Sequence, residues 1–289
     1  MSVFPDRESR LRARLRALGS CIVAYSGGVD SSVVLAVARE ELGERALAVI
    51  GQSATYAESE LALALAQART LGLEPRVVRT AELDDPRFAN NPVNRCYFCK
   101  GELFGVLAAV AREEGFAAVV DGTNADDLGD FRPGTRAAEE HGVISPLAEC
   151  GFTKADVRRL AARLGLPSAD KPAMPCLSSR FPYGAVITPE KLTRVERAEA
   201  WLRARGFREV RVRHHERMAR VEVATAELPR LVAEPLRTEC VHALMAFGYS
   251  EVVIDPAGFR SGSLNEGLPV SVRRAAASGS EPIPASLNR

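Results

Sequence analysis

The chain has 289 residues, and its 38 basic and 37 acidic side chains give a formal net charge of +1. At about 150 residues per domain this length fits two domains, and 46% apolar with 26% charged residues marks a folded globular chain rather than a disordered one. The balanced charge gives no global attraction to nucleic acid or an anionic membrane, and no stretch reaches the roughly eighteen uninterrupted apolar residues of a membrane helix. The first twenty residues are charged throughout and lack the apolar core of a secretory signal. A cytoplasmic location is therefore expected, with reduced thiols at Cys21, Cys96, Cys99, Cys150, Cys176 and Cys240.

In chain order, residues 1–170 alternate β-branched runs with helical patterns, which predicts an α/β domain on a parallel sheet. Strands are expected at 21–25, 46–50, 76–78, 117–121 and 143–147, with helices at 32–42, 57–71, 100–114 and 154–164. Gly72, Gly115 and Gly165 supply helix stops, and Thr153 with Asp156 supplies a helix start. Residues 167–189 carry five prolines and read as a linker and surface loop, with 171–189 holding Cys176. A smaller α+β domain follows at 190–266, with a helix at 190–205, strands at 208–215 and 219–224, a helix at 228–247 and a strand at 251–254. The Ala-, Ser- and Pro-rich residues 267–289 are expected to be a flexible tail.

The residues Ser26-Gly27-Gly28-Val29-Asp30-Ser31-Ser32 lie between the first strand and the next helix. The glycines allow a sharp turn and close backbone approach, and the helix start offers unpaired N–H groups to an anion. Ser26, Ser31 and Ser32 add hydroxyl donors, and Asp30 is placed to hold a divalent cation against phosphate oxygens. Neither the Walker phosphate loop nor G-x-G-x-x-G occurs. Further on, Cys176 sits in KPAMPCLSSRFPYG, where Lys171 and Arg180 are close enough in sequence to favour a thiolate. A thiolate within reach of an activated acyl group is a competent nucleophile. Arg211 and Arg213 share one face of a predicted strand, with His215 if the strand extends so far. Paired guanidinium groups suit phosphate, but a solvated face of mixed charge accounts for the same pattern. Cys96-Tyr-Phe-Cys99 has no second half to complete a zinc site, so a structural or substrate-lining role ranks ahead of a metal or redox role. Cys21, Cys150 and Cys240 read as small core residues.

SGGVDSS resembles the pyrophosphate loop (PP-loop) of the ATP-pyrophosphatase superfamily, whose members adenylate an acyl or imidoyl group before nitrogen or sulfur attacks. That resemblance implies a Rossmann-like adenine nucleotide alpha hydrolase fold, with ATP across the carboxyl ends of the strands. Asp121-Gly122-Thr123-Asn124 then falls beside the loop, with Gln52 and Ser53 as candidates near the adenosine or as an ordinary loop. The ordered set SGGVDSS, NRCYFCK, DGTNADD, PCLSSRFPYG and GFRSGSLNE resembles the LarE family of ATP-dependent sacrificial sulfur transferases over about residues 20–266. The resemblance implies ATP and Mg²⁺ as cofactors, with Asp30 as the magnesium ligand, and a carboxylated pyridinium mononucleotide as substrate. It implies Cys176 as the sulfur donor, left as dehydroalanine, and a product that is the precursor of the nickel-pincer cofactor. It also turns the reading of Arg211, Arg213 and Arg180 toward substrate binding and extends it to Lys100, Ser179, Glu199 and Glu222. A homo-oligomer, plausible as a hexamer, is implied, with no nucleic acid or membrane partner. Some LarE-like proteins use three cysteines to hold an iron–sulfur cluster; the cysteine spacing here does not support one unless Cys96 and Cys99 approach Cys176. The alternatives are a PP-loop tRNA thiolase or amide-forming ligase, or a nucleotide-binding module without catalysis.

Overall fold

The computed structural model describes residues 3–129, 132–172, 174–260, 262–265, 268–278 and 283. Helix α1 (Val3–Leu18) opens the chain, a segment whose charge conceals its helical character. Leu11 and Leu15, one turn apart, are fully buried in the first core. Strands β1 (Cys21–Ala24), β2 (Ala46–Gln52), β3 (Arg76–Arg79) and β4 (Ala118–Val120) form a parallel sheet ordered β3-β2-β1-β4. Helices α2 (Val29–Leu42), α3 (Glu58–Thr70), the short α4 (Pro86–Ala89), α5 (Arg95–Glu114), α6 (Gly134–Glu140), α7 (Pro146–Glu149) and α8 (Lys154–Arg163) complete this part. Both faces of β1 are covered: Cys21 and Val23 pack with α2 and α8, while Ile22 packs with Phe104 and Leu107 of α5. A central parallel strand is a continuous apolar run for this reason. The Rossmann-like α/β class expected from the sequence is the one observed.

One expected strand is absent. Residues 143–147 give only a parallel bridge between Ile144 and Val120, after which Pro146 starts α7. Proline at a first helical position is already set for helix and cannot donate to a ladder.

The order of the sheet reverses between β1 and β4, which opens a crevice at their carboxyl ends. Residues 26–32 follow β1 there, and residues 121–124 follow β4. Their approach is close enough to demand glycine. A Cβ on Gly122 would lie 2.7 Å from the Ser31 nitrogen, and one on Gly27, at φ +66°, would lie 2.6 Å from the Ala64 Cβ.

The second unit begins with α9 (Pro189–Ala204) and continues with β5 (Val210–His215) antiparallel to β6 (Met218–Val223). Helices α10 (Leu228–Val232) and α11 (Leu236–Ala246) come next, and β7 (Glu251–Ile254) pairs parallel to β6. The single helix expected at 228–247 is two, because Pro235 cannot continue the first. Ala198, Leu202, Phe207, Val212, Val221 and Leu244 pack as its core. The tail expected to be flexible contains helix α12 (Val270–Ser278). Leu268, Val272 and Ala276 recur every fourth residue and are buried beside Val93, a spacing that the Ala- and Ser-rich composition obscured. Residues 279–282 and 284–289 lie outside the described residues, as do Ala173, Ser261, Glu266 and Gly267 of the segments singled out above. No helix among the described residues is long and apolar enough to cross a membrane.

Residues 171–189 are not the surface loop that their prolines suggested. Leu177, Phe181 and Ile187 pack between Phe88 and Phe98 on one side and Leu192 and Val195 of α9 on the other. Arg180 and Glu199 are 1% and 0% exposed. Arg180 Nε and Nη2 donate to the two Glu199 oxygens at 2.8 and 2.9 Å. Arg203 Nη2 and the Val212 backbone N–H also donate to Glu199, and Arg180 Nη1 donates to the carbonyls of Pro175 and Cys176. This cluster fastens the Cys176 loop to α9 and β5.

Two outcomes are expected. Gly122→Ala, which forces backbone apart, should cost about 1–3 kcal/mol in urea denaturation. Glu199→Gln leaves two guanidinium groups short of a counter-charge and should cost about 3–5 kcal/mol. Burial pushes the Glu199 carboxyl up, but Arg180 and Arg203 outweigh it and hold it below the ordinary range. The stability that Glu199 contributes is therefore complete above the unfolded carboxyl value of about 4.3 and is lost as pH falls through the lower folded value. Acid titration of the Glu199→Gln protein should lack that component.

Candidate active site

A cavity of about 450 Å³ opens at the carboxyl ends of the strands. Ser26, Asp30 and Ser31 line it from the turn after β1, Ser53 from beyond β2, and Asp121, Gly122 and Thr123 from beyond β4. The first-turn N–H groups of α2 lack a side-chain cap, which leaves donors for an anion at the cavity floor. Ser26 and Ser31 hydroxyls lie 3.2 Å apart, and Ser31 Oγ donates to the Gly28 carbonyl. Asp121 accepts from the Thr123 N–H and hydroxyl and from the Ser145 hydroxyl, fixing the second turn. Asp30 accepts from Asn124 Nδ2 at 3.2 Å and pairs with Lys154 Nζ at 2.5 Å.

Not every residue of the first motif faces the cavity. Ser32 is fully buried, donates to the Gly28 carbonyl and accepts from Gln67 Nε2, so it shapes the turn instead of meeting a ligand. Gly27 and Gly28 serve through backbone, and Gln52 belongs to the β2 ladder. Lys171 pairs with Glu60 at 2.8 Å and reaches the Gly27 carbonyl. It therefore braces the loop of residues 26–32, and the expectation that it faces the Cys176 thiol is corrected.

Cys176 lines this cavity, and so do Cys96 and Cys99 from the first turn of α5, with Lys100 beside them. Burial pushes the Cys99 thiol well above its ordinary range, with Glu82 adding to the shift. Cys96 is exposed, with Arg95 next to it in the chain. Among the described residues no group of three or more His, Cys, Asp or Glu is arranged to hold a metal ion.

Beyond Cys96, Arg132 and Pro133, which line both spaces, lies a second cavity of about 750 Å³. Its walls include Ser179, Arg211 and Arg213 together with Arg95, Arg158, Arg208 and Arg260. Burial, with Arg180 and Arg213 nearby, lowers the Arg211 guanidinium to about 10. Arg211 lies 4.9 Å over the Phe259 ring, and Arg213 donates to the Ser263 hydroxyl and Ser179 carbonyl. Arg180, Glu199 and Glu222 are not in the wall. They stand behind it, Glu222 bound to Arg213 Nε at 3.0 Å, so they position the groups that face a ligand. His215 ends β5 outside both cavities.

Sequence reasoning missed Lys154, Glu82, Arg95, Arg132 and Arg158. Lys154 is one of only four lysines in an arginine-rich chain, a signal that was present. Glu82 is 3% exposed and accepts from the hydroxyls of Ser53 and Thr55, and nothing local marks it. In the GFRSGSLN segment, Phe259 and Ser263 support the two arginines of β5, a role that only the fold reveals.

Residues 8–87 match the asparagine synthase family. The chain is 46% identical to an uncharacterised protein of Synechocystis sp., over 92% of this chain and 99% of that one. It is 36% identical to the pyridinium-3,5-bisthiocarboxylic acid mononucleotide synthase of Lactiplantibacillus plantarum, over 93% of this chain and 97% of that enzyme. A glutamine-hydrolysing GMP synthase of Aeropyrum pernix is 30% identical, over 63% of this chain and 39% of its own. Near-complete coverage of the second of these relatives and an ATP-type loop at the reversal of a parallel sheet lead to one assignment: the chain belongs to the pyridinium-3,5-bisthiocarboxylic acid mononucleotide synthase (LarE) family of PP-loop proteins.

Proposed function

We propose that the protein is an ATP-dependent sulfur transferase of nickel-pincer cofactor assembly, acting on pyridinium-3,5-biscarboxylic acid mononucleotide with Cys176 as sulfur donor. One observation carries this reading: Cys176 lines the nucleotide cavity, while its chain neighbours Pro175 and Ser179 line the arginine-rich one. A nucleotide bound by the turns after β1 and β4 and an anionic substrate bound by Arg211 and Arg213 would meet there.

A substrate carboxylate oxygen attacks the α-phosphorus of ATP, and pyrophosphate leaves with its electron pair. Lys154 and the uncapped N–H groups of α2 offset the charge on the phosphates. The Cys176 thiolate then attacks the acyl carbon, AMP leaves, and a thioester links substrate to protein. Arg180 holds the Cys176 carbonyl, so the thiol is presented from a fixed backbone. Loss of the Cα proton of residue 176 to a base and cleavage of its Cβ–S bond place the electron pair on sulfur. The substrate departs as a thiocarboxylate, and residue 176 becomes dehydroalanine.

Magnesium fits the donor set modestly: Asp30 faces the cavity, and one or two carboxylates with phosphate oxygens are its usual ligands. Asp30 would hold it in place of the Lys154 ammonium, and the ion would neutralise phosphate charge. A homo-oligomer is part of this proposal, to be read by light scattering.

A second reading is favoured by the shared position of Cys96, Cys99 and Cys176 on one cavity. In it the three thiols hold an iron–sulfur cluster that delivers sulfur, and residue 176 survives. The thiols as placed do not make a metal site, so no step is derived through a cluster.

Intact-protein and peptide mass spectrometry after incubation with ATP, Mg²⁺ and the biscarboxylate should show loss of the elements of H₂S at residue 176. Cys176→Ala should release pyrophosphate but form no thiocarboxylate. Cys96→Ser/Cys99→Ser should retain single-turnover transfer. Multiple turnovers with an unchanged wild-type mass, abolished in that double variant, would establish the cluster reading instead. Nucleotide binding with no thiolated product in any variant would point to another acceptor.

A further inference from the structure

Arg95, in the first turn of α5, takes no part in the reaction as set out above. It is only 4% exposed, yet among the described residues its Nε and Nη1 have no hydrogen-bond partner and no carboxylate pairs with it. It lines the arginine-rich cavity next to Cys96. Its guanidinium lies 5.0 Å from the centre of the Tyr183 ring, whose hydroxyl donates to Asn265 Oδ1 at 2.9 Å. A buried cation with unmade hydrogen bonds costs stability. A group kept at that cost is one that awaits a partner.

Resting on the functional reading above, we propose that Arg95 receives the substrate's second ring carboxylate, the one not being activated, in a two-pronged pair. Adenylation removes the charge of the reacting carboxyl, while the other stays anionic in the arginine-lined cavity beside Cys96 and requires a cation there. Arg211 is held elsewhere on the wall, 4.9 Å over the Phe259 ring and donating to the Val210 carbonyl. Arg211 and Arg213 are thus left for the phosphate. The planar fork of Arg95, stacked against Tyr183, matches a planar carboxylate.

The test is calorimetric binding to the full-length protein, saturated with a non-hydrolysable ATP analogue. The probes are two pyridinium mononucleotides, one with carboxylates at positions 3 and 5 and one with a single carboxylate. Wild type should prefer the dicarboxylate by at least about tenfold, which is 1.4 kcal/mol. Arg95→Gln should bring that preference within about twofold and leave affinity for the monocarboxylate unchanged. Arg95→Lys, which keeps the charge but not the fork, should retain part of it and carries the test if the glutamine variant does not fold. Arg211→Gln should weaken both compounds in proportion. An equal loss of affinity for both probes or an intact preference would overturn the proposal. Wild type binding neither probe would overturn the functional reading and this inference with it.

Discussion

Arg180 and Glu199 have almost no contact with water, and each meets the other's charge there. Their pairing is the joint of the molecule. The Arg180 fork meets both oxygens of Glu199 from α9, while its remaining nitrogen grips the carbonyls of Pro175 and Cys176. Glu199 in turn takes the Val212 N–H of β5. A buried ion pair contributes little net stability against an apolar replacement, but losing one member is expensive. What it supplies here is position. The nucleophile, the helix beneath it and the strand carrying Arg211 and Arg213 are held to a common reference.

The same joint explains why a proline-rich segment is ordered. Leu177 and Phe181 are drawn into an apolar layer shared by both units, with Phe98 of α5 on the far side. Because α5 also carries Arg95, Cys96, Cys99 and Lys100, its packing against this layer brings a positively charged, thiol-bearing helix start to the Cys176 loop. The wall between the two cavities is built from that meeting.

Charge is distributed along the site by type of cation. Lys154 and Lys171 act near the turn of residues 26–32, where compact ammonium groups bridge carboxylates or backbone oxygens. The arginines occupy the second cavity, where planar forks suit carboxylate and phosphate. Several are backed by carboxylates or aromatic rings that fix their direction, so the wall is preorganised before any substrate arrives.

The sequence by itself determined the parallel sheet, the phosphate-type turn between β1 and α2, and the presence of a second α+β unit. These rest on local periodicity and on residues adjacent in the chain, which sequence displays directly. It also carried the ordered motifs that resemble one family. It could not tell that Ser32 and Lys171 shape the loop, that Arg180, Glu199 and Glu222 stand behind the site, or that residues 270–278 form a packed helix. Those are questions of which face a side chain presents and what covers it. Burial of a charge depends on partners dozens of residues away, and only the tertiary structure decides it.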